Sequence, residues 1–311
     1  MYLFFFSTKF YDLEKELIVR KIQLIHLLSA FSALIISIAL LSVPRDGVSA
    51  KETEKKYLTV KGSDTMVHLV SAWAEDFMKV HPDVEISVTG GGSGTGIAAL
   101  INRTTDICAS SRNIKQEEID LGKQKGVNSE ETKVALDGIA VIVNPSNSVS
   151  VLTLEQVRKI YTGEYGNWSQ VGGPRQDFII LSRESSSGTY VFFQEHVLEK
   201  KDYTPRARLM PATSAIIQTV SADKSSIGYV GLGYALEAQG KVKMLSIKAN
   251  DAAKAVLPSE SVVKSGEYSI SRPLFLYTNG APTGTVKEFI DFCLGKQGQE
   301  IVRQAGYVTI N

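Results

Sequence analysis

Ser182-Arg183-Glu184-Ser185-Ser186-Ser187-Gly188-Thr189 lies between an apolar, strand-like run, Phe178 to Leu181, and a helix-like run, Tyr190 to Leu198. A strand that feeds a hydroxyl- and glycine-rich turn at the head of a helix aims free backbone N–H groups and the positive end of the helix dipole into that turn. Arg183 adds a fixed charge and a planar fork that fits two oxyanion oxygens. Taken alone, the octet reads equally as a Ser N-cap beside a surface Arg. Two further stretches repeat the layout. Gly90-Gly91-Gly92-Ser93-Gly94-Thr95-Gly96 follows the alternating Val84, Ile86 and Val88 and opens the run Ile97 to Ile101. Lys61-Gly62-Ser63-Asp64-Thr65 follows the short strand Tyr57 to Val60 and leads into Met66, Leu69, Val70, Trp73, Phe77 and Val80, which keep helical spacing. Three such junctions favour an oxyanion held by neutral dipoles plus one Arg.

The glycine run is not a nucleotide loop. Gly91 and Gly96 have P-loop spacing, but Ile97 and Ala98 stand where Lys and a hydroxyl residue are required. The dinucleotide pattern fails at Thr95 or Ile97, and again at Leu236 in the second glycine-rich piece, Gly228 to Gly233, which reads as a place where backbone passes closely. A hydrolase elbow needs Gly two residues after the Ser, and Thr95 stands there after Ser93. His26, His68, His81 and His196 are scattered without metal-ligand spacing, and the acidic residues fall in solvated helix runs. The residues therefore point to a binding protein that is not an enzyme and carries no cofactor or metal. The whole chain holds 34 Lys and Arg against 33 Asp and Glu. Setting aside the first 50 residues removes five of the former and four of the latter, leaving a formally neutral chain with no basic patch for nucleic acid.

That leading segment carries Arg20-Lys21, a 20-residue apolar run from Leu24 to Val43, and the small-residue triplet Val48-Ser49-Ala50. It reads as a signal peptide over 1–50 with cleavage after Ala50, an uncleaved membrane anchor being the alternative. The residues before Val19 are unlike a signal n-region and read as an over-called start. Cys108 falls in a strand-like run and Cys293 in an apolar helix, where buried free thiols are common, although export permits a disulfide. From Tyr57 to Thr132 strands alternate with helices, as in a mainly parallel sheet covered on both faces. A second helix-and-strand set follows Asn144-Pro145. Pro258 to Ser269 is polar and irregular, and Arg272 to Tyr277 reads as a strand returning to the first part.

Gly62-Ser63-Asp64-Thr65-Met66, Thr89 to Gly96, Asp106-Ile107-Cys108-Ala109-Ser110-Ser111-Arg112, Ser182 to Thr189 and Ile227-Gly228-Tyr229-Val230-Gly231 stand in this order, with Leu154 to Gly163 and Asn167-Trp168 between the third and the fourth. Over essentially the whole chain after residue 50, this resembles the phosphate-binding proteins of bacterial phosphate ABC transporters. The resemblance implies a type II periplasmic-binding fold: two α/β lobes joined by two crossover strands, with the ligand cleft between them. Its lobes would be 51–135 plus 272–311, and 136–271. It implies capture of inorganic phosphate in the periplasm by a monomer that hands it to ABC permease subunits in the inner membrane. The implied ligands are Thr65, Met66, Ser93 and Ser111 from the first lobe and Arg183, Ser187, Gly188 and Thr189 from the second. Glu184 would hold Arg183, or serve as an ordinary first-turn Glu. Many members have an acidic residue where this chain has Ser111, accepting the proton of hydrogen phosphate and repelling sulfate. Asp64 is a candidate replacement, or an N-cap for the helix at Met66. Sulfate or molybdate as ligand, and a phosphatase or esterase using Ser93 or Ser187, are the competing readings.

Overall fold

Two of the three junctions end strands whose apolar residues alternate, the third ends the continuous run Ile179-Ile180-Leu181, and each opens a helix. The computed structural model describes residues 55–310; the signal-peptide and start-site expectations lie outside them. β1 (Lys56–Gly62), α1 (Val67–Val80), β2 (Val84–Thr89), α2 (Ser93–Ile101), β3 (Ile107–Ser110) and α3 (Gln116–Gln124) alternate, and β1 pairs in parallel with both β2 and β3. The 15-residue β4 (Ser129–Val143) then carries the chain onward. Beyond it come β5 (Val151–Thr153), α4 (Leu154–Thr162), β6 (Ile179–Arg183), α5 (Gly188–His196), β7 (Arg208–Met210), α6 (Thr213–Ala222), β8 (Ser226–Gly231), α7 (Leu232–Glu237), β9 (Lys243–Met244) and β10 (Ser246–Lys248). After α8 (Glu260–Lys264), β11 (Ser271–Asn279) returns, and α9 (Gly284–Leu294) and α10 (Lys296–Gln304) follow.

The principal sheet runs β2-β1-β3-β11-β4-β8-β6-β7, with β9 also on β4. The strands between Tyr57 and Ser110 pair in parallel as expected, and the sheet as a whole is mixed. β11 inserts between β3 and β4 and is antiparallel to both, because it brings the chain back along the path by which β4 left. β4 serves two neighbourhoods: Ser129 to Gly138 pair with β11, and Ile139 to Val143 pair with β8. Asp137 and Arg272 stand opposite each other where these two strands cross.

The buried apolar side chains divide at the same place. One cluster, around Trp73, Phe77, Ile107, Leu274 and Phe289, packs α1, α9 and α10 on β1 to β3. Another, around Val157, Trp168, Phe193, Ile227 and Tyr229, fills the part built on β6 and β8, and Val308 joins it by bridging back to Leu136. Both buried indoles are satisfied: Trp73 Nε1 donates to the Gly298 carbonyl at 2.8 Å and Trp168 Nε1 to that of Ser225 at 3.0 Å. The polar stretch 258–269 holds the five-residue α8, whose Val263 alone is buried. The close passage expected of Gly228 to Gly233 is present. A Cβ on Gly228 would lie 2.5 Å from Ile216, and one on Gly233 2.4 Å from the Ala305 carbonyl.

Candidate anion-binding site

Two helix heads, on α2 and α5, meet over the end of β1. α2 packs so closely there that a Cβ on Gly96 would lie 2.5 Å from both Gly62 Cα and the Lys61 carbonyl. That contact draws Ser93, the first residue of α2, into the interior. At the head of α5, a Cβ on Gly188 would stand 2.3 Å from Ser93 Oγ and 2.7 Å from Ser111 Oγ. Glycine here lets those two hydroxyls come up against the first turn of α5, whose leading N–H groups are the orphan donors of a helix start. The two heads also bond directly, Gly94 N–H donating to the Ser186 carbonyl at 3.0 Å.

A cluster of buried hydroxyls lies between them. Ser63 Oγ donates to Ser111 Oγ at 2.9 Å, the Ser111 N–H donates to Ser93 Oγ at 3.0 Å, and the Ser93 and Ser111 hydroxyls are 3.3 Å apart. Thr65 Oγ1 and Thr189 Oγ1 share a bond of 2.9 Å. Arg272 Nη2 donates to Thr189 Oγ1 at 3.0 Å and lies 3.5 Å from Thr65 Oγ1. Thr65 sits in the 3-10 turn Asp64–Met66, whose carbonyls accept from Tyr307 Oη at Thr65 and, at 3.1 Å, from Tyr234 Oη at Asp64.

Of the eight residues expected in the site, Thr65, Ser93, Ser111, Gly188 and Thr189 converge here. The other three are placed differently. Ser187 is the N-cap of α5, its Oγ accepting from the Thr189 and Tyr190 N–H groups at 3.2 and 3.4 Å, so the capping reading of the octet holds at this residue. The Met66 N–H donates to the Ser63 carbonyl at 3.0 Å. Arg183 is almost wholly committed to protein acceptors. Its Nε donates to the Met210 carbonyl at 3.2 Å, its Nη1 to Asp64 Oδ2 and Thr213 Oγ1 at 2.9 Å each, and its Nη2 to the Pro211 carbonyl at 2.9 Å. One Nη2 N–H remains. The carboxylate that holds Arg183 is therefore Asp64 and not Glu184, which is exposed beside it. Asp64 Oδ2 also accepts from the Thr213 N–H and hydroxyl at 2.9 and 2.8 Å, so Asp64 makes no cap for its own helix.

Sequence reading missed Arg272 and Asp137. Both are fully buried and paired at 3.0 Å, and Asp137 Oδ1 accepts from the Leu232 N–H at 3.1 Å. Burial pushes the Asp137 carboxyl above its usual value against the pull of Arg272, and lowers Arg272 in turn. Near the site's edge, Arg112 forms a two-armed pair with Glu118 at 2.7 and 2.8 Å. Burial alone would raise Glu118, but Arg112 and the Lys115 N–H bring it below its usual value. A cleft of about 310 Å3 opens beside Arg112, Phe192, His196 and Arg272. Arg272 thus reaches the hydroxyls, while Arg112 and Arg183 bond neighbouring turns, and each of the three is already balanced by a carboxylate. Such a site holds an anion by oriented dipoles and unspent N–H groups, with little net positive field. Among the described residues, His68 lies beside Glu237 and Tyr234 and His81 on Phe77, away from the site, while His196, on the cleft wall, stacks on Phe192.

A family model described as a PBP superfamily domain matches residues 47–297. The phosphate-binding protein PstS of Staphylococcus haemolyticus is 36% identical over 255 residues, covering 80% of this chain and 79% of its own. That of Pseudomonas aeruginosa is 30% identical over 270 residues, covering 81% and 83%. Among solved structures, a phosphate ABC transporter substrate-binding protein from Clostridium perfringens with bound phosphate superposes with a TM-score of 0.74 at 31% identity, covering 82% of this chain and 100% of that one. Matches of this extent make the chain a member of the PBP superfamily and, within it, of the PstS phosphate-binding protein family.

Proposed function

We propose that the chain is an exported solute-binding protein that captures inorganic phosphate between two lobes and delivers it to an inner-membrane ABC permease. In this reading residues 51–135 with 272–311 form one lobe, 136–271 form the other, and the protein acts as a periplasmic monomer. The observation that carries it is the convergence of Thr65, Ser93 and Ser111 from one side with Gly188 and Thr189 from the other. A tetrahedral oxyanion needs donors from several directions at once, and two helix heads with hydroxyls between them supply these. A hydroxyl also accepts, so Ser63, Ser93 and Ser111 can take the proton that hydrogen phosphate brings, which a cradle of N–H groups alone could not. Ser187 contributes by fixing the head of α5. Met66 contributes through its buried turn, and Arg183 through its remaining N–H and its grip on Asp64.

Calorimetric titration with phosphate, sulfate and molybdate at neutral pH tests this reading. One phosphate per chain, bound more tightly than the other two anions, is expected. Tighter sulfate or molybdate would reassign the ligand, and turnover of generic phosphate esters would move the protein to the hydrolases.

A further inference from the structure

Two buried phenols converge on one short turn. Tyr234 Oη donates to the Asp64 carbonyl at 3.1 Å, and Tyr307 Oη donates to the carbonyl of Thr65. Tyr234 belongs to α7, beyond β4, whereas Tyr307 follows α10 near the end of the chain. The glycines that precede them bring the two together. A Cβ on Gly233 would lie 2.4 Å from the Ala305 carbonyl, and one on Gly306, which has φ +76°, would lie 2.8 Å from Gly233 Cα. Backbone meets backbone here, and each segment delivers its next residue to the turn. Burial raises both phenols above their ordinary range, Asp64 adding to the effect at Tyr234 and Asp137 at Tyr307, so both stay protonated donors at neutral pH.

The turn so held carries Thr65 into the hydroxyl cluster and opens the helical run of α1, where the leading N–H groups are orphan donors. A carbonyl that accepts a hydrogen bond polarises its peptide, which makes the N–H of the next residue a stronger donor. The Asp64 carbonyl shares a peptide with the Thr65 N–H. The Thr65 carbonyl shares one with the Met66 N–H, which closes the turn on the Ser63 carbonyl at 3.0 Å.

Resting on the reading that this cluster holds phosphate, we infer that Tyr234 and Tyr307 are positioning residues for the anion. Their hydroxyls fix the Asp64–Met66 turn through its carbonyls, strengthen its N–H groups as donors and hold the Thr65 hydroxyl opposite that of Thr189. Because Tyr234 comes from the chain between β4 and β11 and the turn does not, its bond to Asp64 also joins the two halves beside the ligand.

The test is phosphate titration of the parent, Tyr234→Phe, Tyr307→Phe and Tyr268→Phe, with chemical denaturation of each in the absence of phosphate. Phenylalanine keeps the ring and removes only the hydroxyl. Tyr268 is the control, since its buried Oη donates at 2.7 Å to the Ile139 carbonyl, which is not part of the turn. All three variants should lose stability, but only Tyr234→Phe and Tyr307→Phe are expected to weaken phosphate binding, each by about three- to tenfold. The Thr65 amide 15N signal should move on addition of phosphate and again on Tyr234→Phe substitution. Variants at 234 and 307 that lose stability yet bind as tightly as the parent overturn the inference, as does an equal loss of affinity in Tyr268→Phe. Should either variant not fold, a parental Thr65 amide signal that ignores saturating phosphate overturns it as well. A parent that binds no phosphate refutes the ligand itself, so the two failures are distinguishable.

Discussion

Asp64 shows how much one carboxylate oxygen can carry. Its Oδ2 takes three donors, all from the part of the chain beyond β4: Arg183, the Thr213 N–H and the Thr213 hydroxyl. With Oδ2 spent, only Oδ1 could accept from a ligand, and it lies toward Gly90 with no bond to any of the clustered hydroxyls. Asp64→Asn should therefore leave the ratio of phosphate to sulfate affinity unchanged. It should lower stability by about 1–3 kcal/mol, since charge-assisted bonds become neutral ones and one amide face is a donor. Competition titration together with chemical denaturation checks both. A ratio that collapses toward unity would restore the acceptor role to Asp64. At this scale the sequence was legible where chemistry is concentrated: hydroxyls and glycines beside a strand end announce an anion. Arg272 was not, because it sits in a strand whose apolar neighbours Leu274, Phe275 and Leu276 dominate the reading, and its partner Asp137 is distant in sequence.

Among the elements, α3 shows how a peripheral helix is held to the site. Its Glu118 reaches back to accept from the Lys115 N–H at 2.8 Å and grips Arg112, joining the head of the helix to the end of β3. The folded-state pKa of Glu118 lies below its ordinary value. The stabilisation is therefore present above the unfolded-state pKa and is lost as pH falls through the folded one. Glu118→Gln should flatten the acid limb. Denaturation series from about pH 6 to pH 3 should show the parent losing stability more steeply than the variant. Identical slopes would mean that the pair contributes nothing. The long elements were legible because alternation and helical spacing repeat several times within them. The two- and three-residue strands β5, β7, β9 and β10 carry no such repeat, and their pairing is set by neighbours far along the chain. The parallel pairing of β1 to β3 and the returning strand β11 were legible, but not that β11 inserts between β3 and β4.

Among the described residues, four apolar clusters, two on the side of β1 to β3 and two on the side of β6 and β8, are served by one principal sheet, and the two sides touch again at the helix heads through Gly94 with Ser186 and Asp64 with Arg183. If phosphate favours this joined arrangement, small-angle scattering should give a smaller radius of gyration with phosphate than without it. Saturating binding with no compaction would count against a hinge at β4 and β11. A further consequence lies in the chain's two cysteines. Cys108 and Cys293 are both unpaired and buried in the interior around β1 to β3, where burial raises both thiols above their ordinary range. An alkylating reagent needs thiolate and access, and the native protein offers neither. Cysteine modification therefore times the opening of that half alone. The half that holds Arg183 contains no cysteine, so comparing this clock with a global probe tests whether the two halves open together or apart.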